Sequence, residues 1–459
     1  MSTIVLACSI LILITATLNP KLGVFLIAAS LPIIGRDFYF ANLVVPAADL
    51  IALLTLIGFS VNLVFTLLFK PQKKVKLIWP LFFPFLLFFI ASLLSVALST
   101  NPLSSLYYFI RWPLFLYFAY IFVPANVIKD AKTLKTTVVI VFLSAMTVLL
   151  SGFLSLYGQD WQNSFFRLKS IKIFGSYPFG ENHNLIAEFL NIGAFFVLVI
   201  KEFLKDKRLK RIADTIFIIA VLGIILTFSR SGWITLFLQS AIYLYYRAKA
   251  KPKERIPALI ISLLFIALIT PLFFRMSALQ EKNVSSTENR FLLTEISLQA
   301  FIEKPIFGHG SGQFTKLVDQ NIRFKAKYGP AVDSHGVIQK IIAENGILGL
   351  AAWLFLLFVL VNLIFKTVEK YYPRVKWVLP FALAVFGGVF FQFFNTSYFK
   401  GKVWFPILLF ILALRFSEEK VATAKKRQLA QQGLIQAEKK SSKKMSLSKQ
   451  KSGLKKLSS

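Results

Sequence analysis

The sequence predicts an all-α polytopic membrane protein with about 12 or 13 transmembrane helices. Three observations point there. First, 56% of the 459 residues are hydrophobic and only 16% are charged, with a mean hydropathy of +0.67, whereas a soluble domain has about a quarter of its residues charged. Second, stretches such as 79–98, 134–156 and 353–365 carry almost no charge. About 20 apolar residues cross the ~30 Å hydrocarbon core as a helix, and this sequence supplies that length repeatedly. One large soluble core would instead need polar faces at helical period. Third, the densest clusters of positive charge gather in short loops that alternate along the chain.

That placement also explains the net charge of +32. Lysines and arginines gather at Lys70, Lys73, Lys74 and Lys76, then over 201–211, 247–255 and 366–376, and again in a Lys/Ser-rich tail after Arg415. Cytoplasmic loops carry this bias, so membrane topology accounts for the charge and nucleic-acid binding is excluded. Met1-Ser2-Thr3 runs into Ile4 without a basic leader, so the first apolar segment is expected to be retained. Cys8, the single cysteine, lies in that segment and forms no framework.

With the tail taken as cytoplasmic, the elements follow in order. Segments 4–18 and 22–34 are each short for a span and are separated by Asn19-Pro20, so they read as two thin helices or one interrupted element. Spans are expected near 46–69, 79–98, 103–123, 135–156, 183–200, 212–228, 231–246, 256–274, 346–365, 377–395 and 402–416. Loops 35–45, 158–182, the short turn at Ser229–Ser231 and 275–334 then lie outside. This divides the chain into N-terminal membrane helices (1–274), a long extracytoplasmic loop (275–334), C-terminal membrane helices (335–416) and a basic, disordered cytoplasmic tail (417–459) held near anionic lipid. Within the long loop, Phe291, Leu292, Ile296, Leu298 and Phe301 suit an amphipathic helix over 288–302, capped by Ser286 or Thr287 and ended by Pro305. The glycines of 308–312 read as a turn, because no strand precedes them.

Four polar places stand out. Leu226-Thr227-Phe228-Ser229-Arg230-Ser231-Gly232-Trp233 joins two hydrophobic runs. An arginine there costs several kcal/mol unless it is paired or reaches water, which marks a functional site; the plainer reading makes Arg230 and Trp233 interfacial anchors. Arg290 opens the loop helix, where a guanidinium fork suits phosphate oxygens, or where it simply pairs with Glu288 or Glu295. His335, in Asp333-Ser334-His335-Gly336, sits where the loop re-enters the membrane and can accept a hydroxyl proton near neutral pH. It is one of three histidines. Glu344, nine residues on, does not make a helical metal pair with it, and no HExxH or cysteine cluster exists, so no metal is expected. Finally, Gly175–Asn184 is polar and turn-forming; Asn184 serves equally as a cap or a substrate contact.

In this order the four places resemble the O-antigen ligase and polymerase family of membrane glycosyltransferases. The resemblance rests on Phe179-Gly180-Glu181-Asn182-His183-Asn184, the Ser229-Arg230-Ser231 turn, Arg290 with Lys304-Pro305-Ile306-Phe307-Gly308-His309-Gly310, and Ser334-His335-Gly336 with Ala343-Glu344-Asn345-Gly346. It implies a GT-C-like helical bundle with one long periplasmic loop. It also implies transfer of a glycan from an undecaprenyl-pyrophosphate donor to an acceptor hydroxyl, without ATP or metal. Arg230 and Arg290 would then bind pyrophosphate and His335 would activate the acceptor, with Arg111, Asn184 and Glu344 as further substrate contacts. Two positions depart from the family pattern: Gly336 stands where asparagine is common, and Asn182-His183-Asn184 replaces a Pro-Asn pair.

The same motifs fit a polymerase of repeat units, the alternative within the family. A flippase or transporter for lipid-linked oligosaccharide is the alternative of another class. Transporters place charges at the midplane on broken helices in repeated halves; no repeat is evident, and only Arg111, inside a predicted span, fits that pattern.

Overall fold

The computed structural model describes residues 3–35, 37–40, 43–69, 75–157, 166–173, 175–251, 285–394 and 399–419, with 72, 159, 253, 267, 270, 271 and 274 in isolation. The predicted span at 256–274 lies almost wholly outside these residues. The first part of the long loop, 275–284, and the tail from 420 lie outside them too.

The chain is helical almost throughout. Helices α1 (Thr3–Leu18) and α2 (Pro20–Ser30) are separate elements. Pro20 occupies the first turn of α2, where its missing N–H is no loss, and Asn19 caps it by accepting from Lys21 N–H. The loop expected at 35–45 contains two antiparallel strands, β1 (Asp37–Phe40) and β2 (Leu43–Pro46). Then come α3 (Ala47–Phe69), α4 (Phe82–Ala97), α5 (Pro102–Val127) and α6 (Ala131–Leu154). They are followed by α7 (His183–Phe203), α8 (Lys207–Leu226) and α9 (Arg230–Ala250). Beyond lie α10 (Ser285–Glu303), the short α11 (Phe314–Gln320) and α12 (Ile322–Tyr328), the long α13 (Val337–Tyr371) and α14 (Val378–Phe391). Residues 401–419 are again helical.

Five of these, α3, α5, α6, α7 and α13, are long and apolar enough to cross a membrane. Close helix approach uses small residues, as in other membrane bundles: a Cβ on Gly58 would lie 2.8 Å from that of Ala16, and one on Gly193 would lie 2.4 Å from that of Ala145. The most enclosed span is α7, packed among α6, α8 and α14. It buries a charged pair, Glu188 with Lys402 at 2.6 Å, both nearly inaccessible.

Helix α10 covers the predicted 288–302 but starts at Ser285, so Ser286 and Thr287 lie inside it rather than capping it. Its buried face is Leu292, Leu293, Ile296 and Ala300, closed by Phe314 and Val318 of α11, Phe324 of α12 and Ala343 of α13. Phe291 and Leu298, expected on that face, are exposed, as is Ile302.

Helix α13 breaks its own pattern at Gly346, whose φ of 61° and ψ of −158° are non-helical. The break frees backbone groups on both sides, and the segment 305–310 takes them up. His309 N–H donates to the Ala343 carbonyl at 3.0 Å and Gly310 N–H to the Glu344 carbonyl at 2.9 Å. Ile347 N–H donates to the Pro305 carbonyl at 2.8 Å. Each buried backbone group thus keeps a partner, and the long loop is sewn to the start of α13.

Candidate active site

The site is assembled from helix ends. At the start of α7, Asn182 caps the helix through Asn184 N–H, and the Asn184 side chain accepts from the Ser229 hydroxyl at 2.7 Å. Ser229 in turn caps α9 by accepting from Gly232 N–H at 3.1 Å. Between α8 and α9, Phe228 sits at φ 51°, a left-handed conformation that a bulky residue rarely holds and that must be enforced by its surroundings. Trp233 supplies part of that enforcement. It is buried and donates its indole N–H to the Ile225 carbonyl at 3.0 Å, so it locks the turn and is no lipid-facing anchor. These constraints fix Arg230 at the first position of α9.

Arg290 arrives from α10. That helix is held to the first turn of α13 by two hydrogen bonds, from the Ser297 hydroxyl to the Gln339 carbonyl and from the Gln339 amide to the Thr294 hydroxyl. The same contacts set Arg290 beside the Asp333–Gly336 turn. Arg230, Arg290 and His335 are therefore brought together: the charge of Arg230 acts on Arg290, and that of Arg290 on His335 and His183. Burial, then the Arg230 charge, pulls the Arg290 guanidinium below its usual value. Burial, then the Arg290 charge, depresses His335, against an opposing pull from the Asp333 carboxylate. The imidazole is thus neutral at pH 7.

The acidic partners available to Arg290 are already engaged. Glu288 pairs with Lys327 of α12, and Glu295 with Arg323 at 3.4 Å. Among the described residues no carboxylate meets Arg290 or Arg230, and Arg290 Nε is buried without a hydrogen-bond partner. Asp333 is gripped through both oxygens by the buried Lys340 Nζ, at 2.8 and 2.6 Å, and that ammonium also lies 5.1 Å over the Tyr108 ring. What remains is an excess of positive charge with unspent donors.

Two cations escaped the sequence reading. Arg167 and Lys169 flank Leu168, which is fully buried against Gly152 and Gly223 and donates its N–H to the Leu226 carbonyl at 2.9 Å. Leu168 pins loop 166–170 beside the Arg230 turn, and both flanking charges act on His183. A signal was present in the sequence: Arg167, Lys169 and Lys172 crowd a loop expected outside, where basic residues are uncommon.

The other predicted residues have different placements. Glu344 is fully buried, and its carboxylate accepts from Phe314 N–H at 3.1 Å, so it anchors the start of α11. His309, also buried, sets a ring nitrogen 3.0 Å from the Ala300 carbonyl and closes the end of α10. Arg111 lies in a π-helical stretch of α5 next to Pro113, its guanidinium 4.8 Å from the Trp112 ring centroid. Lys400 lies 4.0 Å from the same ring. Arg111 therefore belongs to a neighbouring group with Lys400, Asp49 and Tyr120, whose hydroxyl donates to Asp49 at 2.7 Å. Lys400 also feels Lys340, which links this group to the first.

This geometry gathers positive charge and the His335 imidazole at one set of helix ends. Residues 215–354 match the family model described as O-antigen ligase. The chain carries an O-antigen ligase-family segment. The matched stretch includes Arg230, Arg290, His335 and Glu344 and leaves out Asn184 and Arg111. No curated protein matches the chain. The membrane helices and this partial match are together consistent with a polytopic membrane protein that carries an O-antigen ligase-family segment.

Proposed function

We propose that this protein is a metal-independent membrane glycosyltransferase that moves a glycan from an undecaprenyl-pyrophosphate carrier to an acceptor hydroxyl at the outer face of the cytoplasmic membrane. The observation that carries the proposal is the half-buried Arg290 guanidinium, whose buried Nε has no hydrogen-bond partner, beside Arg230 and His335. The acceptor oxygen bonds to the anomeric carbon as the bond from that carbon to the pyrophosphate oxygen breaks. Negative charge grows on the departing pyrophosphate, and fixed guanidinium groups stabilise it. His335, depressed by burial and by Arg290, is the base that takes the acceptor proton. Arg167 and Lys169, whose charges act on His183, extend the cationic wall available to the donor's pyrophosphate. In this reading residues 275–334 are extracytoplasmic and the C-terminus is cytoplasmic. The polyprenyl tail stays in the bilayer while its headgroup reaches the arginines.

Polymerisation of repeat units is the second reading, favoured by Gly336. It occupies the cap position of α13 and offers no side-chain hydrogen bond there, where an asparagine would add an amide beside the acceptor. Mass spectrometry of the cell-envelope glycans of a deletion strain tests both. Intact chains stranded on the lipid carrier support transfer to a terminal acceptor, and single repeat units on the carrier support polymerisation. Unchanged glycans overturn the proposal.

A further inference from the structure

Helix α10 is apolar on two opposite sides, and the core it shares with α11, α12 and α13 takes up one of them. That side is Leu292, Leu293, Ile296 and Ala300. On the other, Phe291 is 71% exposed, Leu298 49% and Ile302 76%. At 3.6 residues per turn these three lie within about 40° of one another, roughly opposite the buried set. Single exposed hydrophobics are ordinary, but an aligned row of three large ones, carried on by the exposed Ile306, marks a surface with a partner.

The surrounding helices fix the level of that surface. Helices α5, α7 and α13 are long and apolar enough to cross a membrane, and all three present their starting ends to residues 290–316. In the first turn of α5, the Ser105 hydroxyl accepts from the Gln313 side-chain amide at 2.9 Å. The charge of Arg290 acts on His183, the first residue of α7. Helix α13, if straight, would rise about 52 Å, far more than the ~30 Å hydrocarbon core needs. Its stretch after the break at Gly346, Ile347–Tyr371, rises about 37 Å and crosses by itself. The break therefore lies near the membrane boundary, and the end of α10 is tied to it. Ile347 N–H donates to the Pro305 carbonyl at 2.8 Å and Leu348 N–H to that of Ile306 at 3.4 Å. From Arg290 to Glu303, α10 covers about 20 Å, and both of its ends are held where spans begin. It thus runs along the boundary and not away from it. Beside Ile306, the exposed Ile347 and Leu348 lead to Leu354 and Phe358 on the outward side of α13, so the row joins a lipid-facing surface.

The polar residues of α10 suit that placement. Arg290 and Thr294 occupy one flank of the helix, and Glu288, Gln299 and Glu303 the other. Glu295 lies beside the row, and its carboxylate is turned to Arg323 of α12 at 3.4 Å. We propose that α10 is an interfacial helix that binds the lipid bilayer on the side of the arginine group, with Phe291, Leu298 and Ile302 sunk among the acyl chains. Helices of this kind lie in the interface plane with the apolar face buried about 5–10 Å. Insertion holds Arg290, about a quarter-turn around the helix, at headgroup depth. The use of that depth rests on the pyrophosphate reading; the insertion itself does not.

Electron paramagnetic resonance tests the insertion on the full-length Cys8→Ser protein, reconstituted without donor into vesicles of phosphatidylethanolamine and phosphatidylglycerol. A nitroxide is attached through Leu298→Cys, Ile302→Cys or, for comparison, Lys325→Cys on the exposed side of α12. Collisions with oxygen, which concentrates in lipid, are compared with collisions with a water-soluble nickel chelate. The oxygen-to-nickel ratio should be several-fold higher at the first two positions than at the third. Equal ratios place the row in water and overturn the proposal. Labels sheltered from both reagents mean that protein covers the row, and they overturn it too. Ile302→Trp repeats the test without a label: brominated lipid should quench its added fluorescence, and unquenched emission overturns the proposal. Monodisperse elution of each variant confirms folding. Because no donor or turnover enters, failure here leaves the transfer reaction standing, and stranded or unchanged glycans in the deletion strain leave the insertion standing.

Discussion

Replacing Gly346 by alanine should destabilise the protein sharply, because the break in α13 depends on a conformation and a clearance that only glycine provides. At φ 61° and ψ −158° the residue lies in a region that side chains avoid, at about 1–3 kcal/mol. An added Cβ would also lie 2.5 Å from the Ile306 carbonyl oxygen and 2.7 Å from that of Pro305. These are backbone atoms and cannot rotate away, so the segment 305–310 must move. Movement threatens the three backbone hydrogen bonds across the break, and losing two of them adds about 1–3 kcal/mol. The expected cost is therefore about 2–6 kcal/mol. Heating detergent-solubilised protein and following the monodisperse elution peak should show Gly346→Ala losing that peak several degrees earlier than wild type. Gly329 is the matched control, since its φ is 79° but an added Cβ meets nothing within 4 Å. A Gly346→Ala protein no less stable than Gly329→Ala would refute the account of the break.

Arg230→Ala should lower transfer by about 10²–10³-fold with the protein still inserted, and Arg230→Lys should restore little, because a point charge lacks the planar fork; full activity in the lysine variant would mean that generic charge suffices. His335→Ala should cut saturated turnover by about 10²–10⁴-fold while donor affinity changes little; lost affinity with unchanged turnover would reassign the residue. Because the His335 pKa is depressed, neutral imidazole persists at pH 7, and the wild-type rate should fall only as pH drops below 6.5 through the lower folded value. Lys340→Met leaves the Asp333 carboxylate unneutralised, so the acid limb of the pH–rate profile should move upward, by up to about one unit; an unmoved limb would separate Lys340 from the base. With Cys8 replaced by serine, a cysteine at the exposed Gln320 should react with an impermeant reagent in intact cells and one at Ser441 should not; the reverse pattern would invert the topology.

Several of these features were legible in the sequence because they obey local rules. Asn19-Pro20 predicted a break and is one, since asparagine caps and proline starts the next helix. The Ser229-Arg230-Ser231 turn stood out because charge between apolar runs is costly, and the fold brings Arg230 near Arg290 of α10. Other features depended on partners far along the chain. Helix α10 has apolar residues around most of its circumference, so its period alone could not choose a face; Phe314, Val318 and Phe324 choose Leu292, Leu293, Ile296 and Ala300. Leu168 looks like any loop leucine until Gly152 and Gly223 open the space it fills. Glu344 drew attention as a rare acid, but its role follows from the amide of Phe314, which only the folded loop presents.

Arg290 shows how helix geometry settles a question that residue types leave open. Glu288 and Glu295 are both close to it in sequence, yet they stand two and five residues away, and helical neighbours face each other at three or four. Neither acid is therefore disposed to neutralise Arg290 along the helix. Each finds its partner on α12 instead: Lys327 and Arg323 come from a short helix whose Phe324 is buried in the shared core. Those pairs are half-exposed or more and contribute little to stability, typically about 0–1 kcal/mol. Their effect is on charge: they occupy the acids nearest Arg290 in sequence on the outer side of α10. With those acids engaged, the guanidinium meets no carboxylate among the described residues, and its buried Nε has no hydrogen-bond partner. A half-buried cation left in that condition is costly to the protein alone and favourable once an anion arrives, which is the arrangement the proposed pyrophosphate site requires.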